Sequence, residues 1–171
     1  CELLSTNSSI HVMRLSGNIF DDAAIDLIAN ILKVNTTLKD IELNNVQMGD
    51  GGFISLCNAL KSNTTLERIS LSSNHFNSRC LSSFAELMKK NTPLQVFEMS
   101  NCRIDDTGCA FIAEGIMSNS NLFELDISKN LINTKGALMI IDAMQGNYSL
   151  NKLDVNENPF IDPDGSLVIP N

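Results

Sequence analysis

Glu98, Asp126 and Asp154 recur 28 residues apart, each between apolar neighbours, in Phe97-Glu98-Met99, Leu125-Asp126-Ile127 and Leu153-Asp154-Val155. Carboxylates in such a series can serve two kinds of chemistry. General acid–base catalysis needs an enclosed pocket that lifts one pKa above another. A fixed negative potential needs only alignment, and draws in a positively charged partner. Nothing in the sequence supplies the first. His11 and His75 occupy unrelated positions, no Ser, His and acid recur in a plausible arrangement, and Gly49, Gly51 and Gly52 lack the form of a phosphate loop. Cys1, Cys57, Cys80, Cys102 and Cys109 form no Cys-x-x-Cys pair, so neither a zinc cluster nor a disulfide frame is expected. The thiols read as reduced and mostly buried. No catalytic, cofactor or metal residues are expected.

The carboxylates belong to a repeat. The phrase Leu122-Phe-Glu-Leu125-Asp-Ile127-Ser-Lys-Asn130, written L-x-x-L-x-L-x-x-N, also begins at Ile10, Leu38, Leu66, Leu94 and Leu150, always 28 residues after the previous start. A strand phrase with that period is the signature of leucine-rich repeats, which stack one strand and one helix per turn of a curved solenoid. About 15 residues after each phrase begins, the apolar spacing turns helical, as in Ile28, Ile31 and Leu32 or Phe84, Leu87 and Met88, giving one buried stripe per helix. Asp21-Asp22, Gly49-Asp50, Asn77-Ser78, Asp105-Asp106 and Asn133-Thr134 mark the helix starts, where side chains can accept first-turn amides.

Asn7, Asn35, Asn63, Asn91, Asn119 and Asn147 fall where the helix ends, and a left-handed conformation is expected of them. The Asn-x-(Thr/Ser) sequons at Asn7, Asn35, Asn63 and Asn147 are products of this row and say little about secretion. The small residues Ala24, Gly52, Cys80, Gly108 and Gly136 predict close approach of helix to sheet. In the last unit Pro163 and the displaced Gly165 predict an irregular helix.

The 28-residue period, the Asn-x-(Thr/Ser)-Leu opening of Asn35-Thr-Thr-Leu38 and Asn147-Tyr-Ser-Leu150, and the Asn or Cys that closes the phrase resemble the ribonuclease-inhibitor-like class of leucine-rich repeats. The resemblance covers essentially the whole chain. It implies an α/β horseshoe, with a concave parallel sheet of about six strands and helices on the convex side, and an intracellular protein. It also implies that the row Asn18, Val46, Asn74, Cys102, Asn130 and Asn158 bonds loop backbone from unit to unit, with an interruption at Val46. Residues 1–171 read as a single leucine-rich-repeat domain cut within a repeat at both ends, a segment of a longer protein with residues 1–6 and 166–171 expected to be mobile.

Third, fifth and seventh residues of each phrase should face the concave side, because strand side chains alternate. The fifth-position row is Arg14, Glu42, Ser70, Glu98, Asp126 and Asp154, and the third is Val12, Asp40, Arg68, Val96, Glu124 and Lys152. Glu42, Glu98, Glu124, Asp126 and Asp154 are therefore the candidate partner-binding residues, an acidic groove for a protein with a basic surface. The competing reading is a solvated strand face with no function. An excess of 20 acidic over 12 basic residues disfavours nucleic acid, and no apolar run reaches the roughly 18 residues of a membrane span. The expected function is a protein-interaction scaffold. Regulation of a small GTPase, as by the activators of Ran, or a tropomodulin-like cap on actin filaments are the alternatives, since proteins similar in repeat class do both.

Overall fold

The computed structural model describes residues 6–159. Residues 1–5 and 160–171 lie outside the described residues, and with them the irregular last helix and nearly all of the ends expected to be mobile.

Each phrase contributes a strand of three residues: β1 Val12–Arg14, β2 Asp40–Glu42, β3 Arg68–Ser70, β4 Val96–Glu98, β5 Glu124–Asp126 and β6 Lys152–Asp154. They form one parallel sheet in chain order, and every partner is 28 residues away, as Met13 pairs with Ile41 and Ile41 with Ile69. Between them run α1 Asp22–Val34, α2 Asp50–Leu60, α3 Ser82–Met88, α4 Asp106–Ser118 and α5 Thr134–Met144. A 3₁₀ turn, Ser78–Leu81, precedes α3 in the repeat where Cys80 stands in the small-residue row. This is a solenoid of strand–helix units, as the period requires.

The core is a continuous stack of the second strand residue and the helical stripe. Ile41, Ile69, Phe97 and Leu125 are fully buried, and so are Leu32, Phe84 and Ile112 from the helices. Phe84 of α3 meets Phe97 of β4 edge-on with ring centroids 5.0 Å apart, an arrangement aromatic pairs favour. Gly52, Gly108 and Gly136 do mark close approach, but to the preceding repeat's helix and the incoming loop and not to the sheet. A Cβ on Gly108 would lie 2.7 Å from Leu81 Cδ1 and 2.8 Å from Ile104 Cγ2. One on Gly52 would lie 3.0 Å from Ile25 Cγ2 of α1.

The helix-start pairs divide the labour expected of them. Asp21, Asn77 and Asp105 accept amides of their own first turn, whereas Asn133 makes no such bond and Gly49 has no side chain to make one. The second residue of the pair reaches forward instead. Ser78 Oγ accepts Asp105 N at 3.1 Å, and Asp106 Oδ1 accepts Asn133 N at 3.0 Å and Gly136 N at 3.1 Å, so one repeat caps the next.

With one exception the helix-ending asparagines are not left-handed. Asn35 and Asn119 are extended, with φ of −73° and −109°, and only Asn91 of the row has positive φ, at 48°. Their work is done by the side chain. Asn63 Oδ1 accepts Thr65 N and Leu66 N at 2.9 and 2.7 Å, while its Nδ2 donates to Leu32 O of the previous repeat at 2.6 Å. Asn91 departs because Pro93, two residues on, has no N–H to offer. The other left-handed positions lie after the strands, among them Asn45, Ser73, Asn101 and Lys129.

A second ladder runs through the phrase-closing row. Asn130 Nδ2 donates to Met99 O and Ile127 O, both at 2.9 Å, and its Oδ1 accepts Cys102 N and Ile104 N at 2.8 and 3.0 Å. Cys102 continues it weakly, through Sγ to Leu71 O at 3.4 Å. At Val46 the side-chain ladder is interrupted as expected, but the main chain substitutes: Phe20 N donates to Val46 O at 3.1 Å.

Candidate protein-interaction surface

The in-register sheet sets third-position residues side by side along one line and fifth-position residues along another. Neighbours in a line are 28 apart in sequence, and diagonal neighbours 26 or 30. This arithmetic places Arg68 on β3 between three acids. Its Nη1 bonds Asp40 at 2.9 Å and Glu42 at 3.1 Å, and its Nη2 bonds Glu98 at 2.8 Å. Arg14 Nε adds a contact to Glu42 at 3.3 Å. Partial burial opposes the charge on Arg68, but the bonds to Asp40 and Glu98 outweigh it and hold the guanidinium's pKa above its ordinary value. At the other end of the sheet Lys152 bonds Glu124 at 2.5 Å, which raises the lysine pKa.

The five candidate residues therefore share the sheet but not one environment. Glu42 and Glu98 are held by Arg68, and Glu124 by Lys152. Asp126 and Asp154 form no ion pair among the described residues, although the Asp154 charge is felt by Lys152, two residues earlier on β6. Each instead accepts an amide of its own loop, Ser128 N at 2.9 Å and Asn156 N at 3.0 Å, which fixes the carboxylates' orientation. The expected unbroken acidic run is thus relieved at Glu98, and its free charge lies on β5 and β6. Ser70, expected to face solvent, is buried, with Oγ donating to Asn44 Oδ1 at 2.7 Å. Arg68 was visible in the mixed third-position row. Its bridging role follows from the 26- and 30-residue diagonals, which a row-by-row reading omits.

Among the described residues no catalytic arrangement forms around the other reactive groups. His11 Nδ1 lies 2.8 Å from Ser9 O, while His75 lines a shallow depression with Asn45, Gln47, Met48 and Ser73. Cys57, Cys80, Cys102 and Cys109 are free and buried. Burial pushes the thiol pKa of Cys80, Cys102 and Cys109 up to about 12 and that of Cys57 higher still, so thiolate nucleophiles are scarce at neutral pH. Cys1 is outside the described residues. No group of three or more His, Cys, Asp or Glu suited to a metal occurs among the described residues, nor does a helix long and apolar enough to cross a membrane. On the convex side Lys89 joins Glu86 and Glu114 at 2.8 and 2.7 Å.

Comparison with known proteins agrees with this geometry. Residues 62–85, 90–113 and 118–140 match the family described as Leucine Rich repeat. The fold is a leucine-rich-repeat solenoid. Among solved structures, leiomodin-1 actin-binding site 2 superposes with a TM-score of 0.72 and 18% identity over 85% of each chain. The tropomodulin C-terminal domain of Caenorhabditis elegans superposes with a TM-score of 0.68 and 14% identity, over 85% of this chain and 89% of that one. At those identities the solenoid shares an architecture with both, and no residue role carries over. No curated protein sequence matches.

Proposed function

We propose that the chain is a non-enzymatic, intracellular protein-interaction module. Its concave sheet engages a partner carrying Lys or Arg through Glu42, Glu98, Glu124, Asp126 and Asp154, with Asp126 and Asp154 at the centre. The observation that carries this reading is the unequal pairing of the acids. Arg68 bridges three acids in the middle of the sheet, whereas two oriented carboxylates on adjacent strands at its C-terminal end form no ion pair among the described residues. Like charges side by side are unfavourable in a sheet, and a basic partner relieves that cost while the local potential speeds encounter.

A second reading, that the partner is actin, is supported by the extent of the likeness to leiomodin-1 actin-binding site 2 and to tropomodulin. The test is cosedimentation with actin filaments and, separately, titration against monomeric actin, each with the chain and with Asp126→Lys/Asp154→Lys. Binding that the double reversal weakens at least tenfold at low salt supports both readings. Binding that the reversal leaves intact removes the acidic surface from the contact, and no binding to either form removes actin.

A further inference from the structure

The sequon asparagines are struts of the fold. Asn35 and Asn63 are 7% and 5% exposed, and each engages both ends of its side-chain amide. Asn35 Oδ1 accepts Thr37 N and Leu38 N at 2.9 and 2.7 Å, turning the chain from the helix end into the next strand, and Nδ2 points back to Asn7 O at 3.5 Å. Asn63 repeats this with Leu32 O at 2.6 Å. Asn147 Nδ2 donates to Ile116 O and Asn119 O, both at 2.7 Å, while Oδ1 accepts Ser149 N and Leu150 N. Asn119, whose Asn-Ser-Asn sequence is no sequon, does the same toward Met88 O at 2.9 Å. The geometry therefore belongs to the repeat. The Thr or Ser of the sequon belongs to it too, since Thr37 Oγ1 donates to Asn7 O at 2.8 Å.

N-glycosylation acts on this same nitrogen. Transfer replaces one Nδ2–H by a bond to C1 of an N-acetylglucosamine, the carrier lipid leaves as its diphosphate, and a proton is released. The product is a bulky, solvated group that belongs on a surface. At Asn35, Asn63 and Asn147 it would start between two repeats, where the nitrogen is seated against carbonyls of the preceding unit, and those buried or partly buried carbonyls would lose a donor. Asn7 differs: its Nδ2 donates to nothing among the described residues, and only Oδ1 is engaged, by Ser9 N and Ile10 N.

We infer that folding and N-glycosylation at Asn35, Asn63 and Asn147 are mutually exclusive, so these sequons are unmodified in every folded molecule and the chain is built for a compartment without oligosaccharide transfer. The inference stands on the helix-end ladder and is independent of the concave acidic surface.

The test makes the whole chain twice, in a bacterial cytosol and, behind a cleavable secretion leader, in a eukaryotic cell. The protease-resistant fraction is then mapped by glycopeptide mass spectrometry. The expected result is no occupancy of Asn35, Asn63 or Asn147 in that fraction, with glycans at those sites confined to protease-sensitive or retained molecules. Thr37→Val/Thr65→Val/Ser149→Ala removes the three sequons and keeps the asparagines. This variant is first required to fold from the bacterial cytosol, and it should then raise the folded secreted yield several-fold over the parent. Folded secreted protein bearing glycan on Asn35, Asn63 or Asn147, with the thermal midpoint of the bacterial material, would overturn the inference. So would a triple variant, keeping only the Asn7 sequon, that folds in bacteria yet is retained like the parent.

Discussion

Arg68 on β3 bonds the Glu98 carboxylate on β4 at 2.8 Å, across the sheet from its bond to Asp40 on β2. One guanidinium thus ties three consecutive strands, and its fork of donors suits that task better than a single ammonium would. It also decides where the acidic character of the concave surface is quenched and where it is left free.

Replacing Arg68 by Leu removes three ion-pair contacts and leaves Asp40, Glu42 and Glu98 facing one another. The side chains are about a fifth to a third exposed, so solvent screening keeps the loss near 1 to 2 kcal/mol at low salt. Urea denaturation at about 0.05 and 1 M salt checks this. The deficit should shrink in the higher salt, and a salt-independent loss would point to packing of the side chain's apolar stem.

Leu125→Ala should cost about 2 to 5 kcal/mol, because the side chain is fully buried in the stack. Asp126→Ala, one residue on and half-buried, forfeits its bond to Ser128 N and should cost about 0.5 kcal/mol or less. Equal costs in chemical denaturation would contradict the register.

Gly108→Ala tests whether packing outweighs propensity. In an exposed helix the change would add about 1 kcal/mol of stability. Here the new methyl meets Leu81 and Ile104 well inside contact distance, so a net loss of about 1 to 3 kcal/mol is expected. A rise in thermal midpoint would show that α4 can move off its neighbour at little cost.

Asp105 gives the stability a pH signature. Burial alone would raise its pKa, but bonds from Ser78, Gly108 and Thr107 outweigh that and hold it below the ordinary value. A carboxylate with a depressed folded-state pKa stabilises fully above its unfolded value of about 3.9, and that contribution is lost as pH falls through the folded value. Asp105→Ala should therefore cost about 1 kcal/mol at pH 7, in the range of helix caps, and almost nothing once the pH lies below the folded pKa. Urea midpoints across the acid range measure the convergence.

The strand phrases, the helical stripes and the in-register sheet were legible because a solenoid repeats its constraints, so a single period fixes where every Leu and Ile of the core belongs. What could not be read from one residue at a time was contact between units. Arg68 serves Glu42 and Glu98 along diagonals, Asp106 caps the helix of the following repeat, and Gly108 is small for Leu81 of the preceding one. The helix-ending asparagines were placed correctly but, Asn91 apart, given the wrong task, since a left-handed backbone and a bifurcated side-chain acceptor favour the same residue type. The candidate acids were likewise all found on the sheet, while their inequality depends on which cations the stacking brings near.

The central claim, that the free acidic end of the concave sheet is the contact for basic partners, is tested most directly by two-dimensional NMR of the isotope-labelled chain titrated with a short arginine-rich peptide. Shifts should concentrate in residues 124–129 and 152–157, fade with added salt, and disappear in Asp126→Lys/Asp154→Lys. The convex reversal Asp142→Lys should leave them unchanged. Shifts centred on the helices around Asp142, or spread evenly over the acidic surface and indifferent to the double reversal, would contradict the account.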